Sequence, residues 1–203
     1  MSSMTDLQLD WCSHKAAKFA CENWHYSECM PIGKTVKIGV WERGEYIGCI
    51  IYSRGANAHI AEPYNMGQTE VCELTRVALA DHDTPVTRML SISRKLLKEK
   101  CPGVKLIISY ADPIQDHHGG IYQGDNWYYT GTSSPQKDIY VNGEEMHKNS
   151  VHHKYGTASV QKLNKKYDNV DFEYTSEKFK YKYVKPLTDR AEQKVKAMAK
   201  PYP

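Results

Sequence analysis

The stretch GVKLIISYADPIQDHHGGIYQGDNWYYTG, from Gly103 to Gly131, decides the fold of this chain. Near its start is a short apolar run formed by Val104, Leu106, Ile107 and Ile108, whose β-branched members predict a strand buried on both faces. Pro113 ends that strand, because proline lacks the backbone N–H that a sheet ladder needs. In open α/β sheets, ligands bind beyond the carboxyl ends of strands. We therefore expect the functional site among the acid–base and ligand-type side chains that follow: Ser109, Asp112, His117, His118 and Tyr122.

The composition is that of one globular domain, with room for an appendage. The chain has 203 residues, of which 40% are hydrophobic and 25% charged. It contains no apolar run close to the roughly 20 residues of a transmembrane helix, and its first residues lack the pattern of a secretory signal. The six cysteines form no C-x-x-C motif, which is typical of reduced thiols in a cytoplasmic protein. We expect no membrane association.

Charge is distributed unevenly along the chain. Residues 146–203 contain 13 Lys/Arg against 6 Asp/Glu, whereas residues 1–145 contain 14 against 18. This asymmetry predicts a catalytic domain over 1–145 and a basic C-terminal extension over 146–203. A basic segment on a slightly acidic body indicates a polyanionic partner, and nucleic acid is the first candidate. The alternative is a solvated lysine-rich surface.

Local patterns predict most of the secondary structure. Residues 6–12 alternate like an edge strand, and Ser13 is a suitable N-cap for an amphipathic helix over 14–24. Two runs, 36–41 and 46–52, flank a Gly-containing turn and predict a β-hairpin. A strand is expected over 69–79, and a helix over 85–100 with Asp83 or Thr84 as its N-cap.

Two further patterns concern charged residues. Strict alternation along 69–79 places Arg76 on one face with Cys72, Leu74 and Ala78, where an arginine is usually paired with a carboxylate or aimed at an anionic ligand. Residues 179–185 alternate aromatic and basic side chains, which suits nucleic acid but also an edge strand protected by lysines. A helix is expected after Pro186, with Thr188 as its cap.

The element order resembles the GNAT acyltransferase fold, which implies an α/β architecture with a central, mostly antiparallel sheet flanked by helices. Tyr122 precedes the pair Asn126-Trp127 by four residues and is similar to the tyrosine that protonates the CoA thiolate in many GNATs. The loop that holds the CoA pyrophosphate in that fold differs. It reads Asp81-His82-Asp83-Thr84-Pro85-Val86 here, with two acidic residues and no glycine, which argues against ordinary acetyl-CoA binding.

Several strings, in order, resemble the phage Mom family over about residues 20–135. They are His25-Tyr26-Ser27, Arg54-Gly55-Ala56-Asn57, Glu73 to Leu79, Ser109 to Pro113 and Tyr122 to Trp127. The resemblance implies a phage enzyme in the bacterial cytoplasm that attaches a carbamoylmethyl-type group to adenine N6 in DNA. That modification shields phage DNA from restriction.

The resemblance also implies roles for individual residues. The implied catalytic residues are Tyr26, Arg76, Asp112, Tyr122 and a serine, either Ser109 or, alternatively, Ser91 or Ser93. An unidentified donor is expected to contact Arg76, Thr84 and Val86. Iron is implied as a metal, and its candidate ligands are His25, Tyr26, Asp112 and His118, with His117 nearby. The implied partner is double-stranded DNA with the target adenine flipped out.

Other interpretations remain open from the sequence. Asp112 can cap a turn, Arg76 can be a structural ion-pair partner, and Tyr122 can be a core residue. At the level of function, the chain can be a conventional N-acyltransferase that uses acyl-CoA, or a non-catalytic nucleic-acid-binding protein. The sequence does not indicate the oligomeric state.

Overall fold

The structure is a computed structural model that describes residues 6–55 and 59–203. Within these ranges it forms ten strands: β1 (Leu7–Trp11), β2 (Thr35–Glu42), β3 (Glu45–Ser53), β4 (Val71–Leu79), β5 (Leu106–Ala111), β6 (Tyr128–Thr132), β7 (Ile139–Val141), β8 (Glu144–Met146), β9 (Phe172–Tyr174) and β10 (Tyr181–Pro186). The same ranges form six α-helices: α1 (His14–Trp24), α2 (Val86–Lys100), α3 (Gly120–Gly124), α4 (Lys148–Tyr155), α5 (Val160–Lys166) and α6 (Asp189–Lys196).

The chain divides into two compact units. The first comprises Met1–Gly131 with Tyr181–Pro203, and the second comprises Thr132–Lys180. These boundaries differ from the predicted division at residue 145. The predicted extension is split, because β10 and α6 belong to the first unit while α4 and α5 belong to the second. No local pattern announces that a strand will pair with another lying about 70 residues earlier.

The first unit is built on a sheet with the strand order β1-β2-β3-β4-β5-β10-β6. Neighbours β1–β2, β2–β3, β3–β4 and β5–β10 are antiparallel, and β4–β5 is parallel. Helices cover both faces, so the predicted fold class is confirmed. The order β1-α1-β2-β3-β4-α2-β5-α3-β6 also follows the predicted order of elements.

Strand β5 is buried on both faces, as predicted from its apolar run. Ile107 packs into the cluster that contains Met89 and Leu90 of α2. Ile108 points to the other face, into the cluster that contains Val195 of α6. Alternate side chains of a strand point to opposite faces, so a strand covered on both faces is mostly apolar.

The short-range predictions hold closely. Helix α1 covers the predicted range, and the Ser13 side chain accepts a hydrogen bond from the Ala16 amide. The β2–β3 turn has φ values of +54° at Arg43 and +82° at Gly44, the left-handed pair of a type I′ hairpin. Thr188 caps α6, as predicted.

Two predictions at the level of elements are wrong. Residues 179–185 do not form an edge strand, because β10 lies between β5 and β6 in the sheet. Neither Asp83 nor Thr84 caps α2. Pro85 takes that position without a side-chain hydrogen bond, since Thr84 is bonded elsewhere.

The face predicted for Arg76 is also wrong. Ile51 pairs with Arg76 and Tyr52 with Leu74, so the register shifts by one residue at Thr75. This β-bulge breaks the alternation along β4. Leu74 packs in the α2-side cluster, whereas Ala78, two residues beyond Arg76, packs against α1. Arg76 therefore shares the α1 face with Ala78 and not the face of Leu74.

The second unit has its own small core. Its sheet has the order β8-β7-β9, and all pairs are antiparallel. Val151 of α4 and Leu163 of α5 are fully buried with Ile139 and Phe172 of the sheet. Both helices therefore cover one face of this sheet.

Across the described part of the chain, no helix combines the length and the apolar composition needed to span a membrane.

Candidate active site

The first unit contains a cavity of about 530 Å³ that gathers most of the predicted site residues. It lies where β4 and β5 separate beyond their parallel pairing. The predicted residues that line it are His25, Tyr26, Arg76, Val86, His117, His118 and Tyr122. Ser109, Thr84 and Asp112 do not line the cavity. Residues from α1, β4, α2 and the segment after β5, far apart in sequence, thus meet around one space.

An aromatic pair lies at the cavity. The Tyr26 and His25 rings are stacked with centroids 4.4 Å apart, and the His117 ring meets Tyr26 edge-on at 5.5 Å. The Ser27 amide donates to His25 Nδ1 at 3.1 Å, so the neutral imidazole carries its proton on Nε2. Tyr26 is 45% exposed. An exposed tyrosine ring held by two imidazoles offers a flat surface to another ring.

Arg76 reaches the cavity without an ion-pair partner in the described residues. Its guanidinium donates to the Thr75 carbonyl at 2.8 Å and the Cys29 carbonyl at 3.3 Å, and Cys29 Sγ lies 3.8 Å from Nη2. These acceptors are uncharged. A guanidinium has five N–H donors, so these contacts orient Arg76 and leave both its charge and donor capacity for an anionic ligand.

Tyr122 is supported by a serine behind it. Ser109 Oγ lies 2.8 Å from both Tyr122 Oη and the Leu74 carbonyl, and it donates its single proton to one of them at a time. When Ser109 donates to Tyr122, the phenol keeps its own proton for a group in the cavity. Burial raises the pKa of Tyr122 to about 12, so this phenol stays protonated at neutral pH.

Asp112 does not line the cavity, as a base acting directly on a ligand there would have to. Its carboxylate accepts from the Ile114 amide at 3.1 Å and caps the turn that begins at Pro113. Asp112 is only 9% exposed. The turn leads directly into the segment Asp116–Tyr122, which lines the cavity. Asp112 thus shapes this segment, in addition to any part it plays in proton transfer.

Strand β10 holds the loop that carries His117 and His118, called here the histidine loop. The Tyr183 hydroxyl donates to the His118 carbonyl at 2.6 Å, and Gln123 Nε2 donates to the same carbonyl at 3.1 Å. Gly119, with φ of +81°, lies against the Tyr183 ring, where a Cβ would come within 2.2 Å of a ring carbon. Tyr183 is fully buried, so it supports the site and cannot stack on a base.

The turn after α3 is fixed by an ion pair. Asp125 binds Arg94 of α2, and it also accepts from Trp127 Nε1 at 2.7 Å. Asn126 has φ of +56°. Asparagine is among the few non-glycine residues that tolerate this conformation, and it stands where the GNAT pattern has glycine.

The amides at the start of α2 are already occupied by a carboxylate of the protein. Glu42 at the end of β2 accepts from the Asp83 amide at 3.0 Å, the Thr84 amide at 2.9 Å and the Thr84 hydroxyl. The Asp83 amide and the Thr84 hydroxyl hold the pKa of Glu42 below its usual range. Thr84 is consequently a partner of Glu42, whereas the neighbouring Val86 lines the cavity.

The residues implied as iron ligands do not assemble into a binding set. No group of three or more His, Cys, Asp or Glu side chains within 6–55 and 59–203 is arranged to hold a metal ion. Asp112 caps a turn and does not line the cavity, whereas His25, Tyr26 and His118 do line it. The implied metal therefore has no group of three His, Cys, Asp or Glu ligands ready among the described residues.

The sequence interpretation missed several residues of this region. His82 and Asp116 line the cavity, and Tyr183 and Glu42 act behind it. A lone histidine or aspartate in a loop carries no local signal. Tyr183 and Glu42 reach their partners only through the pairing of distant strands. Of the quoted strings, Ala56 and Asn57 lie outside the described residues.

Comparisons with solved structures give three distant similarities. A proposed acetyltransferase from Acinetobacter baylyi ADP1 has a TM-score of 0.49 at 10% identity, covering 92% of this chain and 95% of that chain. A proposed phosphinothricin N-acetyltransferase has a TM-score of 0.46 at 9% identity, with coverages of 91% and 100%. The AHL synthase LasI has a TM-score of 0.42 at 9% identity, with coverages of 97% and 98%. At such low identity, these similarities say nothing of what this chain binds or catalyses.

Comparison with protein families is more specific. No curated protein sequence matches the chain. The model of the Mom protein family matches residues 6–203, which includes both units and nearly the whole sequence. The chain therefore belongs to the Mom protein family.

Proposed function

We propose that this protein transfers a carbamoylmethyl-type group from a small donor to N6 of adenine in double-stranded DNA. The observation that carries the proposal is a cavity of about 530 Å³ in a Mom-family chain, lined by an exposed aromatic pair, a free arginine charge and a buried phenol. This volume lies within the roughly 300–1,000 Å³ typical of ligand pockets.

The aromatic pair suits an extruded base. N6 is paired inside the duplex, so the target adenine must leave the stack before it can react. Tyr26, stacked on His25 and exposed, supplies a face on which adenine stacks in place of its lost neighbours. In this proposal the pair holds the base with N6 directed into the cavity.

The reaction needs help with protons because the N6 lone pair is delocalised into the ring. A bond forms between N6 and the methylene carbon of the donor, and the bond from that carbon to the leaving group breaks with its electron pair. One N6 proton passes to a base. Asp112 remains the candidate, but because it does not line the cavity, in this proposal the proton reaches it through an intervening water. Tyr122 donates a proton to the leaving group and recovers one from solvent. Ser109 positions the phenol through its hydrogen bond.

The donor in this proposal lacks a pyrophosphate. In GNAT-like proteins the loop before α2 holds the CoA pyrophosphate, and here Glu42 is bonded to the Asp83 and Thr84 amides of that loop. A second anion beside a buried carboxylate is repelled. The donor's anionic group is therefore assigned to Arg76, which lines the cavity and contacts uncharged acceptors. None of these steps requires iron.

The test is mass spectrometry of nucleosides digested from the DNA of cells that express the protein. We expect a heavier deoxyadenosine whose added mass identifies the group. Cells without the protein and cells with Asp112→Asn should lack it. Asparagine also caps helical turns, so this variant keeps the fold. DNA without any new nucleoside, in cells that contain folded wild-type protein, contradicts the function. Modification by Asp112→Asn refutes only the role of Asp112.

A further inference from the structure

Ten of the twelve lysines in the C-terminal 58 residues, 146–203, fall into two groups that the sequence alone does not separate. In one group the ammonium groups are engaged inside the protein. Lys185 donates to the carbonyls of Asp125 and Asn126, and Lys194 donates to those of Tyr64 and Asn65. These two lysines join separate segments of the first unit through hydrogen bonds.

Other members of this group are paired or partly buried. Lys178 binds Glu145 and lies 3.7 Å from Asp138, and Lys196 lies 3.1 Å from Glu192. Lys182 stands over the Tyr64 ring at 5.6 Å, and burial lowers its pKa. An ammonium held by such contacts is a weak candidate for binding phosphate from solvent.

The second group lies on α4 and α5. Residues 146–167 contain no Asp or Glu, and the lysines in this range have no carboxylate partner among the residues that the structure describes. We call them the α4–α5 lysines: Lys148, Lys154, Lys162, Lys165 and Lys166. All are exposed except Lys148, which is half-buried.

Aromatic contacts join the two helices at their C-terminal ends. Tyr155 of α4 meets Tyr167, just after α5, edge-on at 5.4 Å, and both pack on Phe172. Lys154 lies over the Tyr155 ring at 5.2 Å, and Lys166 lies over the Tyr167 ring at 5.1 Å. Lys154 of α4 and Lys166 of α5 therefore belong to one surface.

The opposite face of the second unit is acidic. Tyr140 pairs across the sheet with Glu145 and Glu173, so the three side chains share the face that the helices do not cover. Ile139 and Val141 point the other way, toward α4 and α5. Helices α4 and α5 thus carry lysines and no carboxylate, whereas the other face of the sheet carries Glu173 and Glu145, the latter bound by Lys178.

We propose that the helical layer of the second unit, through the α4–α5 lysines, binds the phosphate backbone of the DNA substrate. The proposal rests on the proposed function for the identity of the polyanion. Ammonium groups without a carboxylate partner, on two helices that contain no Asp or Glu, are the electrostatic signature of a polyanion site. Binding releases counterions from DNA, so affinity must fall steeply with salt.

The test uses the full chain with all five α4–α5 lysines changed to Gln. Binding to a fluorescein-labelled duplex is followed by anisotropy over a series of KCl concentrations. Each phosphate that the variant no longer neutralises lowers the slope of log K against log salt by about 0.9, so we expect a fall of about 2 or more. A variant with the same five lysines changed to Arg keeps the charge and should keep the slope.

The matched control changes five exposed lysines of the first unit to Gln: Lys15, Lys18, Lys95, Lys98 and Lys100. Its slope should match the wild type. An unchanged slope in the α4–α5 variant, or an equal fall in the control, overturns the proposal. The proposal is also overturned if the α4–α5 Gln variant loses binding to phosphatidylserine vesicles while its DNA binding is unchanged. Circular dichroism checks that each variant is folded.

Nucleoside analysis keeps this inference separate from the proposed function. If the wild type modifies DNA but the Gln variant has the same salt slope as the wild type, the DNA-binding surface is refuted and the proposed function stands. If the wild type modifies no DNA but the slope falls in the Gln variant, the DNA-binding surface stands and the proposed function is refuted.

Discussion

The start of α2 and the adjoining cavity offer two positively polarised places, and only one is open. At the start of α2, the Glu42 carboxylate takes two backbone amides and the Thr84 hydroxyl. In the cavity, Arg76 contacts uncharged acceptors only, among the described residues. The first place is closed by the protein's own anion, whereas the second retains a cation for a ligand. The difference leaves the cavity, and not the helix start, as the place that is open to an anionic ligand.

The largest expected effect is in the cavity. Tyr122→Phe removes the phenol that is to protonate the leaving group, and general acid catalysis contributes about 10²–10⁴-fold. We expect the rate of modification to fall within that range while DNA binding is unchanged. The measurement is the yield of modified deoxyadenosine over time.

Tyr52→Phe is the matched control for that variant. Tyr52 is also a buried tyrosine bonded to a serine, with its hydroxyl 2.7 Å from Ser93 Oγ, but it does not line the cavity. The Tyr52→Phe variant should modify DNA at the wild-type rate. If both variants lose activity equally, the loss reflects the fold and not the chemistry of Tyr122.

An intermediate effect is expected at the start of α2. Glu42→Ala leaves amides and a hydroxyl without their acceptor, which costs about 1–3 kcal/mol of unfolding free energy. It also opens an anion site, so inorganic phosphate should raise the stability of this variant more than that of the wild type. Urea unfolding with and without phosphate measures both effects.

Glu45→Ala provides the comparison, because Glu45 lies across the same hairpin turn and is exposed. Its stability should be close to that of the wild type. If phosphate stabilises all three proteins equally, Glu42 does not close an anion site and the contrast between the two places fails.

The smallest expected effect is on the pH dependence of stability. The folded protein lowers the pKa of Glu42 from its ordinary value of 4.5. The ionised carboxylate therefore stabilises the fold above that pH, and this contribution is lost as the pH falls through the lower folded value. The difference in unfolding free energy between wild type and Glu42→Gln should shrink on acidification. A difference that stays constant below pH 4.5 would contradict this assignment.

Elements that are specified by neighbouring residues agree closely with the sequence-based predictions. Helix α1 has its cap and its apolar spacing within a dozen residues, and the β2–β3 turn carries its own glycine. Arg76 shows where such reasoning ends. Alternation along β4 predicts its face correctly only in a regular strand, and the bulge at Thr75 is visible only in the pairing with β3.

The site was predictable in kind but not in arrangement. Tyr26, Arg76 and Tyr122 were expected together and do line one cavity. Asp112 was expected beside them and instead caps a turn. Residue types indicate which chemistry is available, whereas the path of the chain between them decides which side chains meet.

The sequence by itself determined helices α1, α2 and α6, the hairpin, the apolar strand β5 and the family resemblance, because these depend on neighbouring residues and on short strings. Only the tertiary structure decided that β10 enters the sheet beside β5, so that Tyr183 holds the histidine loop. It also decided which lysines are bonded inside the protein and which remain on the surface. Those outcomes depend on contacts between residues far apart in the chain, whose free energy is realised only when the sheet is assembled.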